Sequence, residues 1–194
     1  MLTHSERDGD ELAHRISAAL ADHRGGSGIK VATHGAQVGQ LRHVALTIES
    51  PSSLREVLWA VLSDISSEVG AGTGMLVAGH YAGVPELCGP LIAAVAAHTG
   101  RRSGRVVTFP GSDLLTGTMT VQAVQDSSAI DRVRVLASGD ADPTAELLTR
   151  DFVRPRWSDR ELVLDTQPAR GGTLVLFETP DPTPCCLAHT WAPR

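Results

Sequence analysis

The chain has 194 residues, 42% hydrophobic but only 4% aromatic, with a formal net charge of −5. That length fits one domain whose core must be aliphatic. The scarcity of aromatics argues against stacking platforms for single-stranded nucleic acid, and no basic cluster supplies an electrostatic footprint for it. No segment approaches the ~20 apolar residues that cross a bilayer, and three cysteines make no disulfide framework.

Residues 5–24 read as a helix, with Leu12, Ile16 and Leu20 at helical spacing and acidic residues in the first turn. His14 and His23 on it read as solvated surface. Residues 29–33 and 40–49 read as strands separated by His34-Gly35 and Gly39, and Val44, Leu46 and Ile48 alternate onto one face. His34 and His43 carry no special signal. The next helix has Ser50 as its expected cap, Pro51 at its first position, and a stripe of Leu54, Val57, Leu58, Val61, Leu62, Ile65 and Val69. Trp59 falls off the stripe.

The stretch 70–100 is the expected organising unit. Met75 to Gly79 reads as a strand buried on both faces, extending to His80. A loop and an alanine-rich helix follow, starting near Pro85 or Pro90 and buried through Leu91, Ile92 and Val95. The glycines at 70–74 follow a helix and precede a strand, which is the wrong order for a phosphate-cradling loop. From Val44 to Phe109 the pattern strand–helix–strand–helix–strand predicts a short parallel βαβαβ core. The second half reads as antiparallel strands: 105–109, 117–124, 131–137, and a hairpin of 161–166 with 173–179. A short helix is expected from Asp142-Pro143 to Arg150. The expected fold is therefore α/β, a short parallel core extended by antiparallel strands with helices packed on the sheet. Composition shows no linker, so 1–194 reads as a single domain with 180–194 as a proline-rich tail.

Open α/β sheets place ligands beyond the carboxyl ends of their strands. The expected site is therefore at the end of strand 75–80, with His80 as base or ligand and Cys88 as nucleophile or ligand near a helix N-terminus. Tyr81 is a candidate substrate contact. Arg154 and Arg156, in FVRPRW, are candidates to clamp an anionic group bidentately; an exposed edge strand explains the same residues. Asp140 and Asp142 read as a turn and helix cap before they read as an acid–base pair. In the tail, Cys185, Cys186 and His189 are candidate ligands for zinc or another transition metal, although adjacent cysteines are poorly spaced for it.

Two functions fit these residues. One is a small enzyme or enzyme-like protein acting on a small molecule. The other is a non-catalytic binding or assembly module, a homo-oligomer or the partner of another protein, using the alanine-rich helix and exposed tryptophans. No partnership with nucleic acid or membrane is expected. A single lysine, Lys30, against many arginines and alanines suggests the coding bias of a high-GC bacterium. MLTHSERDGDEL lacks the basic and apolar regions of a signal peptide, so a cytoplasmic location is expected.

Overall fold

The computed structural model describes residues 2–3, 5–23, 26–69 and 74–179. The fold is mixed α/β, with four helices packed against a large mixed sheet. Strand β1 (Leu2–Thr3) precedes helix α1 (Glu6–Ala21), which the Ser5 side chain caps by accepting from the Asp8 N–H. Strands β2 (Lys30–Val38) and β3 (Leu41–Glu49) pair as an antiparallel hairpin along their whole length. Helix α2 (Arg55–Val69) leads to β4 (Gly74–Val77), β5 (His80–Gly83) and helix α3 (Cys88–Thr99). The second half contributes β6 (Arg105–Thr108), β7 (Thr118–Thr120), α4 (Val121–Ser127), β8 (Arg132–Val135), β9 (Gly139–Asp140), β10 (Glu146–Leu148), β11 (Arg156–Ser158), β12 (Glu161–Pro168) and β13 (Leu174–Leu176).

The main sheet runs β1-β3-β2-β6-β11-β12-β13-β10-β7, with β8 on β12 and β9 on β8. Strand β2 pairs antiparallel with both β3 and β6, so β3 and β6 point the same way with β2 between them. The long connection from β3 to β6 carries α2, the β4–β5 hairpin and α3. Both faces of β2–β3 are covered. Val31 and Leu46 face α1 and α2 in a cluster with Ile16, Leu20, Leu58 and Leu62. Ala45, with Ala36 beside it, faces Leu87, Leu91 and Ala94 of α3. A second cluster, with Val106, Val124, Leu147, Trp157 and Leu164, fills the C-terminal half. Each fully buried Leu or Val contributes roughly 1.5–3 kcal/mol of transfer free energy.

Several sequence expectations change. The parallel pairs are β8 with β12 and β10 with β13, and none lies within 44–109. The expected strand 75–80 is a separate two-stranded hairpin instead. Ala78 and Gly79 at its turn have φ of 51° and 85°, matching the primed turns that suit a hairpin's twist. The helix after it starts from a short turn at Pro85, and Pro90 sits in the first turn of α3, where its missing N–H costs little. Leu91, Ala94 and His98 bury that helix, whereas Ile92 and Val95 are 51% and 40% exposed. The expected strand 117–124 breaks after Thr120, whose hydroxyl accepts from the Ala123 N–H and caps α4; Val121 and Val124 then bury at helical spacing. Asp142 holds the N–H and hydroxyl of Thr144 in a turn, and strand β10 follows in place of a helix. Strand β11 lies between β6 and β12, so Arg156 and Trp157 of FVRPRW are interior to the sheet rather than on an edge strand, and Trp157 is buried.

Candidate functional site

Strand β1 pairs with β3 only at Val44 and Ala45. Beyond them, Leu46 to Glu49 border a cleft of about 360 Å³ that runs between α2 and α3 and is closed by Met75 to Ala78. The cleft therefore opens at the carboxyl ends of β3 and β4. Its walls are Leu46, Leu58, Leu62, Met75, Leu91 and Val95, and its polar groups are Thr47, Glu49, Ser50, Ser52, Arg55 and His98. The helical stripe of α2 produces this directly: Arg55, Leu58 and Leu62 share one side, with the charged residue nearest the helix start.

His98 lines the cleft from the last turn of α3 and is 7% exposed. Among the described residues neither of its ring nitrogens has a hydrogen-bond partner, which costs about 1–3 kcal/mol for a buried polar group. Glu49 Oε2 stands 3.6 Å from His98 Nε2, just beyond hydrogen-bond reach, while Glu49 Oε1 accepts from Lys30 Nζ at 3.2 Å. On its inner side His98 meets His34 edge-to-face at 5.8 Å and Trp157 at 6.1 Å. His34 Nε2 and the Thr47 hydroxyl share a hydrogen bond of 2.9 Å. The indole N–H of Trp157 also has no hydrogen-bond partner among the described residues, and Arg101 lies over its ring at 4.9 Å. Gly104 is fixed by this cluster: a Cβ there would fall 2.3 Å from the His34 ring, and its φ is +124°.

The electrostatics keep both imidazoles neutral. Burial pushes His34 down to about 4, and the neighbouring His98 adds to the effect. Burial also lowers His98; Glu49 opposes that shift, and Lys30 and Arg101 reinforce it. A neutral imidazole offers one donor and one acceptor. Here the nearby Glu49 carboxylate would stabilise the imidazolium formed when His98 takes a proton, which is the arrangement of a general base with its orienting acid. A second, more open cleft of about 680 Å³ lies beyond His34, lined by Gly35, Gln37, Ala93, Ala97 and Arg105 among others. The histidine pair thus stands between the two clefts, with His34 lining one and His98 the other.

The residues singled out from sequence do not converge here. His80 is exposed at the start of β5, with no hydrogen bond or ion pair among the described residues. Cys88 is a half-buried free thiol at the first position of α3. Neither lines either cleft. Tyr81 donates to the Val84 carbonyl and packs against α3. Arg154 and Arg156 do lie together, on a notch of about 160 Å³, but carboxylates already occupy both. Arg154 Nε donates to Asp10 at 3.1 Å, and its guanidinium lies 4.3 Å from the Phe152 ring centre. Arg156 pairs with Asp165, which also accepts from Arg134 at 2.8 Å. Arg105 joins the same network through Asp10 and Glu178. Burial would raise the Asp10 carboxyl, but Arg105 and Arg154 overcome it and hold the group below the usual range. Asp140 pairs with Arg132. Cys185, Cys186 and His189 lie outside the described residues, and among the described ones no three His, Cys, Asp or Glu side chains are grouped to hold a metal.

Sequence reasoning passed over His34, His98 and Glu49. A signal for His98 was present: Leu91, Ala94 and His98 recur at helical spacing, which puts a histidine on the buried stripe. Comparison with protein-family models, curated proteins and solved structures gave no match to this chain. Among the described residues no helix is long and apolar enough to cross a membrane.

Proposed function

We propose that this is an enzyme-like protein that binds a small molecule in the edge cleft, with His98 as the proton-accepting group and Glu49 as its orienting partner. One observation carries the reading: an imidazole more than nine-tenths buried, with neither nitrogen hydrogen-bonded, lines an apolar cleft at the carboxyl ends of two strands. His98 from the far end of α3 and Glu49 from the end of β3 replace His80 and Cys88, which were expected at the carboxyl end of a strand 75–80. The test is a fragment screen followed by NMR of histidine and methyl-labelled protein. Fragments should shift the His98 ring together with Leu58, Leu62 and Met75 resonances. Hits that cluster elsewhere, or none in the cleft, would sink the reading.

A second reading, an assembly module, is favoured by the outward face of α3, where Ile92 and Val95 are exposed side by side with Ala96. Sedimentation of the wild type and Ile92→Glu decides it: a dimer that dissociates in the variant supports assembly, and a monomer in both removes it.

A further inference from the structure

The chemistry of the ligand can be read from the mouth of the edge cleft, on the footing that this cleft is the binding site as proposed above. A short helical turn at Ser52–Leu54 runs directly into α2, and no side chain caps its start. The expected cap, Ser50, lines the cleft instead, beside Ser52 and Arg55. The backbone N–H groups of Leu54 and Arg55 already donate to the Pro51 and Ser52 carbonyls, so the start of α2 contributes only the partial positive charge of its dipole. Arg55 adds a full positive charge, and it forms no ion pair among the described residues, unlike Arg105, Arg132, Arg134, Arg154 and Arg156. The one carboxylate lining the cleft, Glu49, is already matched by Lys30. The balance at the mouth is therefore one unmatched positive charge plus a helix start.

Behind this mouth the walls turn apolar within one helical turn, through Leu58, Leu62, Met75 and Leu91. Beside them sits the independent sign of a missing polar partner, the buried and unbonded His98 ring. We infer that the cleft takes an amphipathic monoacid, with its carboxylate on the Arg55 guanidinium and its apolar body between α2, α3 and β4. A dianionic phosphate would need more cationic partners than the one arginine that lines the mouth. A neutral apolar molecule would leave Arg55 unused.

The test measures binding of sodium octanoate, 1-octanol and sodium acetate to the full chain and to Arg55→Gln by calorimetry, with NMR of Leu58, Met75 and His98 to locate each ligand. Arg55 is at the protein surface, so its replacement leaves the core intact. Octanoate should bind about tenfold more tightly than octanol, the worth of one charge-assisted contact, and Arg55→Gln should remove that advantage. Acetate should bind too weakly to measure, because the apolar walls contribute most of the affinity. Octanol binding in the cleft as tightly as octanoate overturns the acid preference and leaves the cleft itself standing. The same holds if octanoate keeps its full advantage in Arg55→Gln. Binding of neither octanoate nor octanol in the cleft overturns the acid inference and the proposed function together.

Discussion

Two clusters of polar side chains, one half-buried and one buried, differ in how their groups are partnered. Between α1 and the C-terminal strands, Asp10, Arg105, Arg154 and Glu178 form a network in which every charged group has an opposite partner. Beneath α3, His34, His98 and Trp157 are stacked edge-to-face, and three of their ring nitrogens have no hydrogen-bond partner among the described residues, with Glu49 3.6 Å from one of them. Both clusters join segments far apart in the chain. Only the first one is complete. A satisfied network explains itself as a tie between elements, whereas unsatisfied buried nitrogens cost stability and call for another reason to exist. That contrast moves the search for function from the arginines to the histidines.

The largest expected effect breaks the satisfied cluster. Asp10→Ala leaves Arg105 with Glu178 alone and Arg154 without its carboxylate, so stability should fall by about 3–5 kcal/mol, read from the urea midpoint. Next is the pH response of the histidine cluster. His34 falls from an ordinary 6.5 to about 4 in the folded chain, so the unfolded chain binds the extra proton between those values. Its contribution is intact above about pH 6.5 and is lost as pH drops toward about 4, a difference of roughly 3 kcal/mol. Urea titrations at pH 7 and pH 4 should show that much less acid sensitivity in His34→Gln than in the wild type; equal sensitivity would mean the His34 ring is not held neutral.

Smaller effects sharpen the comparison. Arg156 is half exposed and shares Asp165 with Arg134, so Arg156→Ala should cost no more than about 1 kcal/mol. A larger loss would place it inside the network rather than on its rim. His80→Ala should change stability by less than about 0.5 kcal/mol and leave ligand affinity of the edge cleft unaltered, since the residue is exposed and outside the cleft. Lost affinity in that variant would return the β4–β5 hairpin to the site.

Much of the scaffold was legible in the sequence. The stripe of Leu54 and, on α2, Leu58, Leu62 and Ile65 is buried as its spacing requires, and Leu46 and Ile48 of β3 alternate onto the face covered by α1 and α2. The failures have physical causes. Met75 to Val77 is too short to distinguish a central strand from half a hairpin, and the turn that decides it depends on a positive φ at Ala78, which no side chain announces. Met119, Val121 and Ala123 alternate like a strand, but the Thr120 cap and the 121/124 spacing suit a helix better. At the site, the arginines were visible as anion-binding chemistry, yet the partners that neutralise them are fixed only by the fold. Asp10 lies 95 residues before Arg105 and 144 before Arg154. His98 and Glu49 meet for the same reason, through the packing of α3 across β3, and neither residue type is unusual where it stands.

The measurement that bears most directly on the division between a structural and a functional cluster is the stability of His98→Leu, which keeps the side-chain volume and removes only the unbonded nitrogens. A buried group retained for function should be dispensable to the fold, so the stability read from urea unfolding should stay the same or rise by about 1 kcal/mol while ligand binding in the edge cleft is weakened. A fall of about 2 kcal/mol or more, with binding intact, would mean that His98 holds the sheet and α3 together and that the cleft works without it.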